Sequence, residues 1–228
     1  MLDRRWRAKA EQALEPVGQG LHRLGVSADV LTVFGLVAAA GTGLLIANGN
    51  LLLAVFGLVL TGLPDVLDGS VARQSGTAGR RGAFFDSVCD RVADALLLGG
   101  VAWQLTGSDG ELAVLALAVL AVTMLVSYER AKAESLGLNA RGGVMERAER
   151  LVLLGVGLAF DILVPVLWLM LALTTLTAVH RFVMVWREAT NAEPTPSAAT
   201  GERRPHRLRS FRGRATRARR LPRVSGRR

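Results

Sequence analysis

Long apolar runs, each close to the length that crosses a lipid bilayer, constrain the fold of this chain most strongly. Four runs cover residues 30–47, 51–67, 92–105 and 112–128, and a longer one covers 151–186. Half of all residues are hydrophobic and the mean hydropathy is +0.33. Because roughly 20 apolar residues span the hydrocarbon core as a helix, the sequence predicts an all-α integral membrane protein.

The longest apolar run is too long for one membrane helix. At about 1.5 Å per residue it would extend about 54 Å, against a hydrocarbon thickness of about 30 Å. The segment "FDILVP" near its middle contains a polar residue and a proline, so we place a turn at 161–165. The sequence therefore predicts six transmembrane helices.

Lys and Arg residues are unevenly distributed between the predicted loops. The turns "NGN", "TGSDGE" and "FDILVP" contain none, whereas every loop on the opposite side is basic. Positive residues accumulate in cytoplasmic loops. We therefore expect a multi-pass protein of the cell (plasma) membrane with both termini in the cytoplasm.

Both ends of the chain differ in composition from the apolar middle. Residues 1–24 repeat apolar residues at spacings near three and four, which predicts an interfacial amphipathic helix before a membrane domain at 25–187. Residues 188–228 are rich in Pro, Ser, Thr and Arg, which predicts a disordered basic tail. Such a tail attracts anionic lipid or nucleic acid; we favour a solvated tail that reinforces the inside topology, with no specific nucleic-acid partner.

Four aspartates interrupt the second and third apolar segments. A carboxylate in a bilayer costs roughly 2.5 kcal/mol or more unless it faces a partner or a cavity. Asp65 and Asp68 are three residues apart, and Asp86 and Asp90 are four apart, so each pair projects from one helix face near the cytoplasmic surface. Four anions need cations, and oxygen ligands favour Mg²⁺ or Mn²⁺. The pattern predicts two metal ions.

A phosphate-bearing ligand fits this acidic cluster. Mg²⁺ usually keeps coordination positions for water and substrate phosphates. Gly69 and Gly82 allow close approach of backbone and ligand, and Arg73 offers a forked donor to phosphate oxygens. The alternative is close helix packing by small residues, which is common in membranes.

The complete pattern resembles the CDP-alcohol phosphotransferase family, also called class-I CDP-alcohol phosphatidyltransferases. The motif D-x2-D-G-x2-A-R-x8-G-x3-D-x3-D is matched by Asp65, Asp68, Gly69, Ala72, Arg73, Gly82, Asp86 and Asp90. The resemblance implies that the four aspartates bind the metals, that Asp90 is also the proton acceptor, and that Gly69 and Arg73 contact the nucleotide diphosphate. It further implies CDP-diacylglycerol as substrate, membrane lipids as surroundings, and a homodimer.

Two further positions enter through the same resemblance. The segment "SADVLT" is similar to the nucleotide-contacting entry of the family, which nominates Asp29, Val30, Leu31 and Thr32. Gly79 stands where members often carry a serine or threonine that contacts the nucleotide, so a side-chain contact is missing there.

A basic cluster on the predicted cytoplasmic side indicates a phosphorylated acceptor alcohol. Arg130, Lys132, Arg147 and Arg150 flank the loop between the fourth and fifth spans, and several donors could hold one phosphate. The stretches "SYERAKAE" and "GGVMERAER" resemble actinobacterial phosphatidylinositol phosphate synthases, which implies inositol phosphate as acceptor. The positive-inside bias alone is the competing explanation.

Three other functions remain open at this stage. The same chemistry with glycerol 3-phosphate would also need a basic cluster. A divalent-cation transporter would need intramembrane carboxylates, but the outer halves of these helices carry no polar ladder to continue an ion path. A structural protein would only be destabilised by uncompensated aspartates.

Overall fold

A computed structural model describes residue 20 and residues 27–75, 79–107, 110–140 and 142–191, with the backbone alone for 65–75. The predicted interfacial helix at 1–24 falls outside these residues except for Gly20, which is helical. The predicted tail falls outside them from residue 192 onwards.

The described residues form helices joined by short connections, with no strand among them, which confirms the all-α prediction. The helices are α1 (Ala28–Ala47), α2 (Leu51–Ser75), α3 (Arg80–Thr106), α4 (Gly110–Ser135), α5 (Arg147–Ala159) and α6 (Leu163–Asn191). Several extend beyond the apolar runs that predicted them, and α6 ends at Asn191 rather than at 187. Polar residues therefore continue these helices past their apolar segments.

Helix α1 packs against α2 and α3, α4 packs against α3 and α6, and α5 packs against α2 and α6. The side chain of Ser27 caps α1 by accepting a hydrogen bond from the Val30 N–H at 3.4 Å. Two glycines bring α1 and α3 into backbone contact: a Cβ on Gly43 would lie 2.5 Å from the Leu96 carbonyl oxygen, and one on Gly100 would overlap the Gly43 backbone. Small residues allow membrane helices this close approach.

Three of the described helices, α1, α4 and α6, are long and apolar enough to cross a membrane. The uninterrupted apolar part of α2 covers only Leu51–Pro64. Helix α3 carries charged residues through its first half, and the 13 residues of α5 extend only about 20 Å. The predicted count of six spans stays a prediction.

The turn predicted at 161–165 is shorter in the structure. It comprises residues 160–162, with Asp161 at a φ of 54°, and α6 already begins at Leu163. Pro165 therefore lies in the first turn of α6 and not in the connection. The first turn tolerates proline because its N–H groups have no partner within the helix.

Candidate active site

Helices α1, α2, α3 and α5 line a small cleft that opens to solvent. Asp86 and Asp90 lie one turn apart on α3 and are both half-buried at its wall. The other lining residues that matter here are Thr32 and Gly35 from α1, Thr61 and Pro64 from α2, and Arg147 from α5. The cleft therefore combines two carboxylates and one guanidinium group with two threonine hydroxyl groups and small or apolar residues.

The remaining two aspartates of the motif belong to α2. Asp65 and Asp68 follow Pro64, which lines the cleft, and Gly69 and Arg73 continue the same helix. Their side chains lie outside the described part of the structure. Among the described side chains, no three of His, Cys, Asp and Glu form a group that could hold a metal ion. Asp86 and Asp90 nevertheless fit a site for a hard cation, because they are neighbouring oxygen donors at an open cleft.

The start of α1 meets the start of α3 beside this cleft. Thr32 lines the cleft, and Asp29, three residues earlier, lies 3.7 Å from an Arg81 nitrogen and next to Gly82. Val30 is exposed and Leu31 is buried, and neither of these two nominated residues lines the cleft. Gly79 is the exposed N-cap of α3 and makes no side-chain cap bond.

Two arginines of the predicted acceptor site are ion-paired with α3. Arg147 contacts the Asp90 carboxylate directly and lies 3.8 Å from Asp94 Oδ1 through its Nε. Arg150 donates from its NH2 group to Asp94 Oδ2 at 2.8 Å. The side chain of Arg150 is only 9% exposed, whereas that of Arg147 is 16% exposed and reaches the cleft.

The start of α5 is defined by a capping box. Glu146 accepts from the backbone of Glu149, and the Glu149 side chain accepts from the Glu146 N–H at 3.1 Å. Arg147 is therefore the first residue of the helix, and Arg150 follows on the same face. The sequence "ERAER" encodes both the cap and the spacing of the two arginines.

The other two basic residues lie near the end of α4. Both are exposed, and Arg130 is paired with Glu134 at 3.0 Å. Arg130 and Arg150 both lie near Arg181 of α6, so the positive charge of each repels that of Arg181. Arg181 is buried and donates to the carbonyl oxygens of Val126 at 2.7 Å and Gly142 at 2.8 Å.

The connection between α4 and α5 is docked onto α6. Thr177 Oγ1 accepts from the N–H groups of Val144 at 3.2 Å and Met145 at 3.1 Å. Gly143, with a φ of 151°, packs against the Thr177 methyl group. Together with the Arg181 bond to Gly142, these contacts fix the segment that precedes Arg147.

Sequence reasoning missed Asp94 and Arg181. Asp94 continues the four-residue spacing of Asp86 and Asp90, and Arg181 is a charged residue within an apolar helix. Either signal marks a polar contact inside the membrane domain, but neither identifies the partner, which depends on how the helices pack.

Comparison with known proteins assigns the family. The sequence model for CDP-alcohol phosphatidyltransferase matches residues 26–192. The chain belongs to the CDP-alcohol phosphatidyltransferase family. Within that family, it is 35% identical over 192 residues to the phosphatidylinositol phosphate synthase of Mycobacterium marinum, covering 79% of this chain and 82% of the relative. It is 36% identical over 214 residues to that of Streptomyces avermitilis, covering 87% and 88%.

Solved structures in the CDP-alcohol phosphatidyltransferase family share this fold. The phosphatidylinositol phosphate synthase of Mycobacterium tuberculosis with CDP-DAG bound matches with a TM-score of 0.73 and 30% identity, over 81% of this chain and 99% of that one. Its complex with manganese and citrate matches with a TM-score of 0.72 and 31% identity, over 79% and 92%.

Proposed function

We propose that this chain transfers a phosphatidyl group from CDP-diacylglycerol to a hydroxyl of inositol phosphate and releases CMP. The observation that carries the proposal is the contact between Asp90 and Arg147 at the cleft. It joins a carboxylate of the eight-residue family motif to a basic residue outside that motif. The similarity to phosphatidylinositol phosphate synthases supports the choice of acceptor.

The donor side of the reaction would depend on Asp65, Asp68, Asp86 and Asp90, which would hold two Mg²⁺ or Mn²⁺ ions. When bound, the metals would stabilise charge on the attacking and leaving oxygens. The manganese complex of the similar enzyme supports this cofactor. The proposed nucleotide contacts are Gly69, Arg73, Gly79 and the α1 segment Asp29, Val30, Leu31 and Thr32. Of these residues, Asp29 and Thr32 are the best placed.

Asp90 is the proposed proton acceptor. The acceptor hydroxyl oxygen forms a bond to the phosphorus that carries diacylglycerol, the bond from that phosphorus to the CMP oxygen breaks, and the hydroxyl proton passes to the carboxylate. A general base must lie within hydrogen-bond reach of that proton. The half-buried position of Asp90 at the open cleft supports this role, because a hydroxyl group entering the cleft could approach its carboxylate.

The acceptor phosphate is proposed to bind Arg130, Lys132, Arg147 and Arg150. Arg147 is the best placed, because it reaches the cleft beside Asp90. A phosphate held there would position the rest of the alcohol next to the proton acceptor. Glycerol 3-phosphate carries the same group and is the competing acceptor.

The membrane arrangement completes the proposal. We propose six membrane-spanning helices, with both termini and the active site facing the cytoplasm, on the basis of the basic inner loops. The homodimer is proposed only from the family resemblance of the sequence. The cytoplasm is also where phosphorylated alcohols and CDP-diacylglycerol headgroups would be accessible.

An acceptor panel tests the function. Purified full-length protein is assayed with CDP-diacylglycerol and Mg²⁺ or Mn²⁺ against inositol phosphate, glycerol 3-phosphate, free inositol and serine, with CMP release and lipid product both measured. We expect CMP release only with inositol phosphate, and none after chelation of the metal. Turnover with glycerol 3-phosphate instead would disprove inositol phosphate as the acceptor, but it would leave phosphatidyl transfer from CDP-diacylglycerol standing.

A further inference from the structure

We propose, on the basis of that function, that Asp94 is a positioning residue which orients Arg147 and Arg150 for the acceptor phosphate. Asp94 lies one turn beyond Asp90 on α3 and outside the eight-residue motif. Its side chain is 8% exposed, and its two oxygens face different arginines. It therefore connects the two predicted phosphate ligands of α5 to the helix that carries the proton acceptor.

The charges alternate along this cluster. Asp90 contacts Arg147, Arg147 approaches Asp94, and Asp94 bonds to Arg150. Without the central carboxylate, the guanidinium groups of Arg147 and Arg150 would repel each other in a region of low dielectric constant. Asp94 therefore allows two positive groups to remain close together before any phosphate binds.

A link between α3 and α5 through the Asp94–Arg150 ion pair does not by itself explain why Asp94 is a buried carboxylate. Buried ion pairs often stabilise a fold no more than apolar residues of similar size, because both charges must be desolvated. Apolar residues already surround this contact, since Asp94 and Arg150 line a second cavity with Leu97, Leu98, Leu151, Leu154 and Met170. An orienting role accounts for the charge at this position.

The chemistry of arginine supports the same role. A guanidinium group is planar and has five N–H donors in fixed directions, so one bond to a carboxylate fixes the plane and leaves donors for a phosphate. The hydrogen bond from Arg150 to Asp94 would set the plane of the Arg150 guanidinium group. Arg147 Nε, 3.8 Å from the other Asp94 oxygen, would be held on that side by charge attraction. Loss of Asp94 should thus weaken acceptor binding and leave the nucleotide contacts on α1 and α2 unaffected.

Steady-state kinetics of Asp94→Asn in the full-length protein tests the proposal, with each substrate varied separately. We expect the KM for inositol phosphate to rise about tenfold or more, the value of one charge-assisted contact, with the KM for CDP-diacylglycerol changed less than about twofold. Asp94→Glu keeps the charge but displaces it, so a smaller rise in the same KM is expected. Thr42→Val serves as the control, because it removes a buried hydroxyl that bonds only within α1.

A purely structural role predicts a different pattern. Asp94→Asn would then lower the melting temperature and the active fraction, as is expected of Thr42→Val, with an unchanged acceptor KM, and this result would overturn the proposal. If Asp94→Asn does not fold, an unchanged acceptor KM in Asp94→Glu has the same meaning. If the wild-type protein uses glycerol 3-phosphate, the proposed acceptor is wrong. The KM for glycerol 3-phosphate, compared between the Asp94 variants and the wild type, then still tests the positioning role of Asp94.

Discussion

At the scale of single residues, two arginines of the described part of the chain lie beside Asp90. Arg91 NH1 lies 3.3 Å from one carboxylate oxygen, and Arg147 contacts the other. Arg91 also bonds to the Ser87 carbonyl oxygen of its own helix, whereas Arg147 comes from α5 and reaches the cleft. The proposed proton acceptor and the proposed phosphate ligand are thus adjacent, so one small acceptor could engage both.

Replacement of Asp90 by Asn tests the proton-acceptor role. We expect turnover to fall about a hundredfold or more, because an amide cannot take the hydroxyl proton. Binding of CDP-diacylglycerol, measured by titration in the presence of the metal, should remain largely intact, because the amide oxygen can still lie near the cation. Near-normal turnover in this variant would contradict the role.

Replacement of Arg147 by Ala tests the acceptor contact. The KM for inositol phosphate should rise by about ten- to a hundredfold, since a charge-assisted contact is worth about 1.5 to 3 kcal/mol. The matched control is Arg187→Ala, which removes an exposed charge near the end of α6. If basic residues here only set the topology, both variants should keep the wild-type acceptor KM.

At the scale of helices, the backbone contact between α1 and α3 brings the proposed nucleotide and metal residues together. Asp29 and Thr32 lie at the start of α1, and Asp86 and Asp90 lie in the first half of α3. The contact at Gly43 and Gly100 occurs near the other ends of the same helices. The separation of the two helices at the cleft thus depends on small residues far from it.

Replacement of Gly100 by Ala should force these helices apart. The new Cβ would lie 2.9 Å from the Gly43 Cα, and backbone cannot move aside as a flexible side chain can. We expect a loss of about 1–3 kcal/mol, typical of overpacking, and a lower thermal unfolding midpoint in detergent. Gly99→Ala is the matched control, because a Cβ there meets nothing within 4 Å. Equal midpoints for the two variants would refute the close packing.

The sequence predicted the helices better than their contacts. Apolar length and turn residues located all six helices, because these signals are local to each segment. The last connection was predicted too far along the chain because of Pro165, since proline is compatible both with a connection and with the first turn of a helix. The pairing of Asp94 with Arg150 could not be read from sequence, because it depends on where the bundle places α3 and α5 relative to each other.

At the scale of the whole molecule, the loops differ in charge between the two ends of the helices. The connections at 48–50 and 160–162 contain no Lys or Arg, whereas the residues around α3, α4 and α5 on the other side are basic. The cleft with Asp86 and Asp90 lies toward the basic end, because Arg147 begins α5 there. The charge distribution and the position of the cleft thus support the orientation proposed above, with both termini in the cytoplasm.

Cysteine labelling tests this orientation. In a Cys89→Ala background, Asn50→Cys should react with a membrane-impermeant maleimide in intact cells, and Leu136→Cys should react only in inverted vesicles. Both residues are exposed, whereas Cys89 is buried. Labelling of Leu136→Cys from outside intact cells would reverse the assigned orientation.

The docking of the α4–α5 connection on α6 limits how acceptor preference can be exchanged between relatives. Thr177 and Arg181 bond to Gly142, Val144 and Met145 across more than 30 positions of sequence. A chimera that received only this connection and the start of α5 would carry Arg147 and Arg150 without the Thr177 hydroxyl and Arg181 guanidinium groups that hold the preceding backbone. If the arginines of α5 hold the acceptor phosphate as proposed, acceptor preference is a property of two separate stretches of chain, and a working graft must include both.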